Sequence, residues 1–314
     1  MSFKRLDAED FVVSAESIAG VAWSNGSPTL SNFVTSATQQ SSVSGKYYAN
    51  VFLSSDNAAN QTPVEFAVAY GNINGGGMAP FDPEVTGYSP TSVIYGQWQN
   101  IVLGDENTKF KFGGAEKNDF YVISLARNRF KEKILPGAWT LTIGGSSYSD
   151  NSKVATTVSF NEAGRVFPIL AGSAGTPNNP NSTSRGLFLP DIGAIILDSD
   201  LVGDTNGAAS DQFNPAKLVN DLTDFTLNFQ ETISSDFVFV RARNAEYNYS
   251  ENPSFISGST GAVIYNDFIN NPQTFVTSVG LYNDTNDLLA VAKLSTPLKK
   301  DFTKEALIRV KLDF

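Results

Sequence analysis

Between residues 119 and 143 the pattern of apolar and polar positions changes character twice. Phe120, Tyr121, Val122 and Ile123 form an apolar run rich in β-branched and aromatic side chains, the pattern of a buried strand. Positions 127–133 then hold Arg127, Arg129, Lys131 and Lys133 against a single Glu132. Pro136 and Gly137 are expected to stop that basic segment. Beyond them Trp139, Leu141 and Ile143 alternate with Ala138, Thr140 and Thr142, as in a strand with one buried face. A basic connector between two strands points to a docking surface.

Similar signals recur along the chain. Strands are expected at 47–53, 64–70, 154–160, 165–170 and 237–243, with a polar turn over 54–63, and a buried strand resumes over 187–198. Residues 93–98 and 101–104 are apolar, and Asp105, Glu106 and Asn107 turn the chain into 110–112. The best helix candidate is 213–222. Asn214 can cap it, Pro215 suits its first turn, and Leu218, Val219 and Leu222 share a face. The chain is expected to finish as a meander of 275–282, a turn over 283–287, then 288–294 and 306–314.

These elements predict a mainly β fold of antiparallel, sandwich-like sheets with few short helices and an extended N-terminal arm. The arm is 1–45, polar apart from Phe11, Val12 and Val13 and from Val21, Ala22 and Trp23. Its stretch 31–44 has seven Ser or Thr residues and no charge, too little to make a core of its own. It reads either as a loop on the body or as an arm ordered by a neighbour. Residues 46–170 form the first expected β-rich domain and 187–314 a second part ending in the meander. Between them 171–186, rich in Gly, Ser, Thr, Asn and Pro, reads as a linker or long loop.

Composition agrees with this picture. Only 17% of the 314 residues are charged and 12% are aromatic, which suits β-structure with many turns. A net charge of −10 argues against general nucleic-acid binding, which needs basic surface. The chain has no Cys and no His, so disulfides, Ser-His-Asp and Cys-His catalysis and Cys/His zinc sites are excluded. The first ten residues lack the apolar core of a signal peptide, and no apolar run has the length of a membrane span. A chain made in a cytoplasm, without a membrane span, is expected.

Signs of chemistry are weak. Asp198, Asp200 and Asp204, near Gly203 and Gly207, have part of a calcium-loop spacing, but the register and the closing Glu of an EF-hand are missing. Gly75, Gly76 and Gly77 lack the Lys-Ser/Thr of a phosphate loop and read as a turn. Nothing in the spacing singles out a carboxylate pair for glycoside hydrolysis. Tyr247, Tyr249 and Phe255, interleaved with Asn244, Asn248 and Asn252, form either a sugar-binding face or a packed edge. No catalytic residue, cofactor or metal is expected.

Charge is distributed unevenly. Residues 182–292 hold 4 basic and 14 acidic side chains, whereas 293–311 hold six basic residues against Asp301 and Glu305. Complementary patches of this kind steer and register protein contacts. The alternative is a solvated face or pairing inside the chain. The candidate interaction residues are Arg127, Arg129, Lys131 and Lys133 in the connector and Lys299, Lys300, Lys304, Arg309 and Lys311 near the C-terminus.

The connector, from Phe120-Tyr121 through Arg127-Asn128-Arg129-Phe130-Lys131-Glu132-Lys133-Ile134-Leu135-Pro136-Gly137, resembles a segment in virion structural proteins of large contractile-tailed phages, especially T4-like cyanophages. So do Asp10-Phe11-Val12-Val13-Ser14 with Trp23-Ser24-Asn25-Gly26, Ser44-Gly45-Lys46-Tyr47-Tyr48, Tyr95-Gly96-Gln97 and Leu103-Gly104-Asp105-Glu106-Asn107. Further along, Pro190-Asp191-Ile192-Gly193, Asn252-Pro253-Ser254-Phe255 and the blocks 279–284, 288–293 and 309–314 are similar to the same group. The blocks follow in order across nearly the whole chain. The resemblance implies a non-enzymatic tail or baseplate subunit, located in the virion and assembled in the host cytoplasm. Its implied partners are other phage tail and baseplate proteins, and a homo-oligomer is the further partner to test. The alternative function, from a different class, is a receptor- or glycan-binding tail-fibre-type module.

Overall fold

The computed structural model describes residues 3–36, 47–53, 63–75, 89–202, 215–250 and 252–313. The expected turn at 54–63 and the glycines at 76 and 77 fall almost wholly outside these, as do Asp204, the Asn214 cap and positions 37–45 of the arm. Strand accounts for 50% of the structure and helix for 14%, so the fold is mainly β. Every ladder between its strands is antiparallel where a register is defined.

In chain order the elements begin with β1 (Phe11–Val21), β2 (Thr29–Leu30), β3 (Val34–Thr35), β4 (Tyr48–Phe52), β5 (Phe66–Asn72) and α1 (Pro90–Leu103). They continue with β6 (Lys111–Phe112), β7 (Ala115–Glu116), β8 (Asp119–Leu125), α2 (Arg127–Phe130), β9 (Lys133–Ile143) and β10 (Ser146–Asp150). Next come β11 (Ser159–Asn161), β12 (Gly164–Ser173), β13 (Thr176–Pro177), β14 (Gly186–Leu189), β15 (Ala194–Asp198) and α3 (Pro215–Asp221). The chain finishes with β16 (Leu222–Ala242), α4 (Asn266–Asn270), β17 (Thr274–Tyr282), β18 (Leu288–Lys300) and β19 (Ala306–Asp313).

Two compact units share these elements, Ser17–Glu231 and the combination of Met1–Glu16 with Thr232–Phe314. Residues 171–186 fall inside the larger unit, where β12 and β13 pair through Gly172↔Pro177.

In the larger unit the strands run β16-β9-β10-β12-β14-β15-β8-β5-β4-β3. Strands far apart in that order nevertheless meet. Phe225 of β16 packs its ring 5.7 Å from Phe66 of β5, and Trp23 lies 4.9 Å from Phe225. The sheet therefore folds over on one apolar core. β8 is buried on both faces: Tyr121, Ile123 and Leu125 enter that core, while Phe120 and Val122 join a second cluster with Tyr95, Phe110 and Ile196. This two-sided burial is why the apolar run beginning at Phe120 has no polar alternation.

Several expectations are corrected. Residues 93–98 and 101–104 belong to one helix, α1, and it is the longest described. Pro90 occupies its first turn, Ser89 and Ser92 form a capping box, and Gly104 closes it at φ +65. Beyond its first turn, where Pro90 and Thr91 are buried, Tyr95, Gln99 and Val102 are its buried positions, at helical spacing. The expected strand at 154–160 shrinks to β11, because Val154 and Ala155 turn back to donate to the Asn151 carbonyl. Residues 187–198 form two strands, divided by a turn that starts at Pro190.

Pro136 and Gly137 do not end the basic segment. They lie in a bulge within β9, where residues 135–138 stand opposite Asn228 alone. Proline has no amide to leave unpaired in a bulge. Gly137 takes φ +77 and donates its amide to the buried Asp150 carboxylate at 3.0 Å. The terminal meander is also interrupted: β17 and β18 form a separate hairpin, and β19 pairs with β16 instead.

Candidate interaction surface

The connector is a single helical turn held between β8 and β9. Ala126 is extended, α2 follows, and Lys131 at φ +57 turns the chain into β9. Phe130 fixes this turn by inserting into the core at 3% exposure. Its ring rests on Gly193, where an added Cβ would stand 2.3 Å from it. Leu125 donates to the Gly193 carbonyl and Ile134 to that of Pro190, so the turn at 190–193 holds the connector from both sides.

The four cations of the connector divide by role. Arg129 points inward, with its Nε 3.3 Å from the wholly buried carboxylate of Glu65. Glu65 also accepts from the Ser24 amide at 3.2 Å and from the Ser24 hydroxyl. Lys131 sits 3.3 Å from Glu231 and 5.3 Å above the Phe229 ring. Lys133 is 3.5 Å from Glu132. Arg127 is exposed and lies over the Phe130 ring at 4.9 Å, with no carboxylate partner among the described residues. Internal pairing therefore consumes much of the local charge, and Arg127 with Lys131 is what remains at the surface. One acidic partner, Glu231, comes from the acid-rich part of the chain.

The C-terminal cations also separate. Lys300 is fully buried and gives its three protons to Asn244 O at 2.9 Å, Asn248 Oδ1 at 2.9 Å and Asp301 O at 3.0 Å. An ammonium has three donors, so it is satisfied and serves as a clamp rather than a docking group. Lys299 and Lys304 are exposed.

Arg309 and Lys311 come together with Phe237, because the β16–β19 register sets Phe237 opposite Lys311 and Phe239 opposite Arg309. Arg309 lies 5.2 Å and Lys311 6.0 Å from the Phe237 ring centre. The alternate positions Val238, Ala242, Ala306 and Val310 are buried, so this strand pair has one inner face and one basic-aromatic outer face. Hydrogen bonds from Lys311 to Asp313 and Glu16, each at 3.1 Å, raise its pKa above the usual lysine value.

Charge counting does not reveal the apolar surface of the smaller unit. Both hydrophobic clusters consist of residues from the larger unit. In the smaller one Phe11, Val13, Phe275, Leu289, Val291 and Leu307 are exposed, Val13 at 73% and Leu289 at 68%. The structure also gathers the aromatics singled out above. Tyr247, Tyr249, Asn252 and Phe255 line a cleft of about 380 Å³ with Phe268 and Phe275. Burial raises the Tyr247 phenol pKa.

Asp198 is buried 3.1 Å from Lys117 and 3.7 Å from Arg185, an ion-paired strand end. Among the described residues no group of three His, Cys, Asp or Glu is placed to hold a metal. No described helix is long and apolar enough to cross a membrane. No protein-family model, curated protein or solved structure matches the chain.

Proposed function

We propose that this chain is a non-enzymatic structural subunit of a contractile-tailed phage virion, a wedge-type baseplate component that works through protein–protein contacts. The observation that carries the reading is the smaller unit. Its strands display Phe11, Val13, Leu289, Val291 and Leu307 to solvent, and neither hydrophobic cluster reaches it. Exposed apolar surface of this kind marks an interface, and large obligate interfaces are more apolar than transient ones. Arg127, Lys131, Lys299, Lys304 and Arg309 add cations at the surface for acidic neighbours, while Lys311 is already bonded to Asp313 and Glu16. The resemblance to phage virion proteins supplies the kind of assembly. Mixing the purified chain with the other tail proteins of its phage should incorporate it into a larger particle. A chain that stays free in such mixtures refutes the proposal.

A second reading, a glycan-binding module, is favoured by the cleft at Tyr247, Tyr249 and Phe255. Aromatic rings lining a cleft beside an Asn side chain suit sugar faces and hydroxyls. Saturable binding of host-surface polysaccharide, lost in Tyr249→Ala, supports that reading; absence of binding removes it.

A further inference from the structure

We infer that the chain pairs with a second copy of itself through the open edge of β17, making a four-stranded antiparallel sheet across a two-fold axis at Ser278. The inference does not rest on virion membership. It begins with the β17–β18 hairpin, a sheet of two strands. An isolated two-stranded ribbon is marginal in water, and it gains independent stability from a third strand or from packing against a helix. Among the described residues β17 pairs with β18 alone, so its outer row of amides and carbonyls has no strand partner, and at its start only the Thr274 hydroxyl reaches across, to the Tyr247 carbonyl.

Open edges are normally guarded by charge, proline or bulges. In this unit the guards are distributed selectively. β18 contains Lys293, Pro297, Lys299 and Lys300. It also takes up both register irregularities: residues 294–297 stand opposite Thr277 alone, and Leu289 is extra between Ala290 and Leu288. β19 contains Arg309, Lys311 and Asp313, and β1 contains Glu16. β17 has none of these devices. Its nine residues, Thr-Phe-Val-Thr-Ser-Val-Gly-Leu-Tyr, carry no charge and no proline, and it runs without an inserted residue.

The occupant follows from the same sequence. In a two-fold antiparallel pairing centred on Ser278, Thr277 faces Val279, Val276 faces Gly280 and Phe275 faces Leu281. β-branched and aromatic pairs of this kind are favourable, and like charges directly opposite one another are destabilising. A copy of β17 laid on β17 brings no charged side chain into the seam, whereas β1, β18 and β19 each carry at least one. Closed two-fold pairing is also the commonest homo-oligomeric arrangement. The exposed Val291 and Leu289 of β18 would extend the apolar face on both sides of the seam.

The test is sedimentation velocity on the full chain at micromolar concentration. Wild type is expected at twice the chain mass. Ser278 is exposed, so Ser278→Lys and Ser278→Asp place like charges on the axis without entering a core. Each alone should sediment at the single-chain mass, and an equimolar mixture of the two should recover the doubled mass. Ser278→Asn, uncharged and similar in size to Asp, should keep the doubled mass. The inference is overturned by a wild type of single mass, by charge variants that stay doubled, by a mixture that stays single, or by an Asn variant that dissociates. A wild type that remains single until other tail proteins are added also overturns it, and assigns the edge to a different subunit.

Discussion

Replacing Arg129 with alanine would leave the carboxylate of Glu65, which has no exposed surface, with the amide and hydroxyl of Ser24 as its hydrogen-bond donors among the described contacts. Removing one partner of a buried ion pair costs about 3–5 kcal/mol, because the other charge stays desolvated. The surviving bonds to Ser24 place the expected loss at the lower end, about 3 kcal/mol. At about 1.4 kcal/mol per factor of ten, that is on the order of a hundredfold change in the folded-to-unfolded ratio. Urea denaturation followed by tryptophan fluorescence is a suitable assay, since Trp23 precedes Ser24 and bonds the Phe225 carbonyl through its indole at 2.9 Å. The double variant Glu65→Met with Arg129→Met should lose far less, because an apolar pair of similar volume removes both charges together. A single variant within about 1 kcal/mol of wild type would refute the reasoning, as would a double variant as unstable as the single. The same geometry changes how docking is tested. Reversing all four connector cations to Glu would set a carboxylate against buried Glu65 and unfold the larger unit. Reversing Arg127 and Lys131 alone probes the surface.

Gly193→Ala should destabilise the larger unit by about 1–3 kcal/mol, the usual range for an overpacked site, since the new methyl meets the Phe130 ring at a position with φ +69; chemical denaturation reads the loss, and an unchanged midpoint refutes the seat proposed for Phe130. Burial opposes ionisation of Asp191, but the hydrogen bonds and charge of Arg165 outweigh it and hold the carboxyl below the usual Asp range. Its contribution is therefore present above the unfolded Asp pKa of about 4 and disappears as pH falls through the lower folded value. Asp191→Asn should be less stable than wild type at neutral pH and show a shallower acid loss in melts from pH 7 to 2; parallel curves refute this. Lys300→Met keeps the stem but leaves the acceptors at Asn244, Asn248 and Asp301 without the ammonium, and should speed amide exchange in β18 while leaving β8 unchanged.

How much was legible in the sequence depends on whether a residue's partners are near it along the chain. The alternation of Trp139, Leu141 and Ile143 in β9 was readable because a strand's period is local, and all three are buried. The start of α1 was written in Ser89, Pro90 and Ser92 and its end in Gly104, yet Val93, Ile94, Tyr95 and Trp98 look like strand residues. Their helical spacing had to be weighed against that composition. The division of the connector cations was not readable at all. Arg129 finds Glu65 64 positions earlier because β5 and β8 are neighbours, with Phe66 opposite Leu125, whereas Lys131 finds Glu231 a hundred positions later because β9 lies beside β16. Adjacent charges in sequence thus face different strands, and one becomes a core support while another remains a surface group. The same non-local pairing separates β19 from the expected meander: β16 continues past β9 and offers Ser235–Ala242 as a fresh edge, which β19 takes. That choice leaves β17 and β18 as a pair without a third strand, and the exposed edge of β17 is its physical consequence.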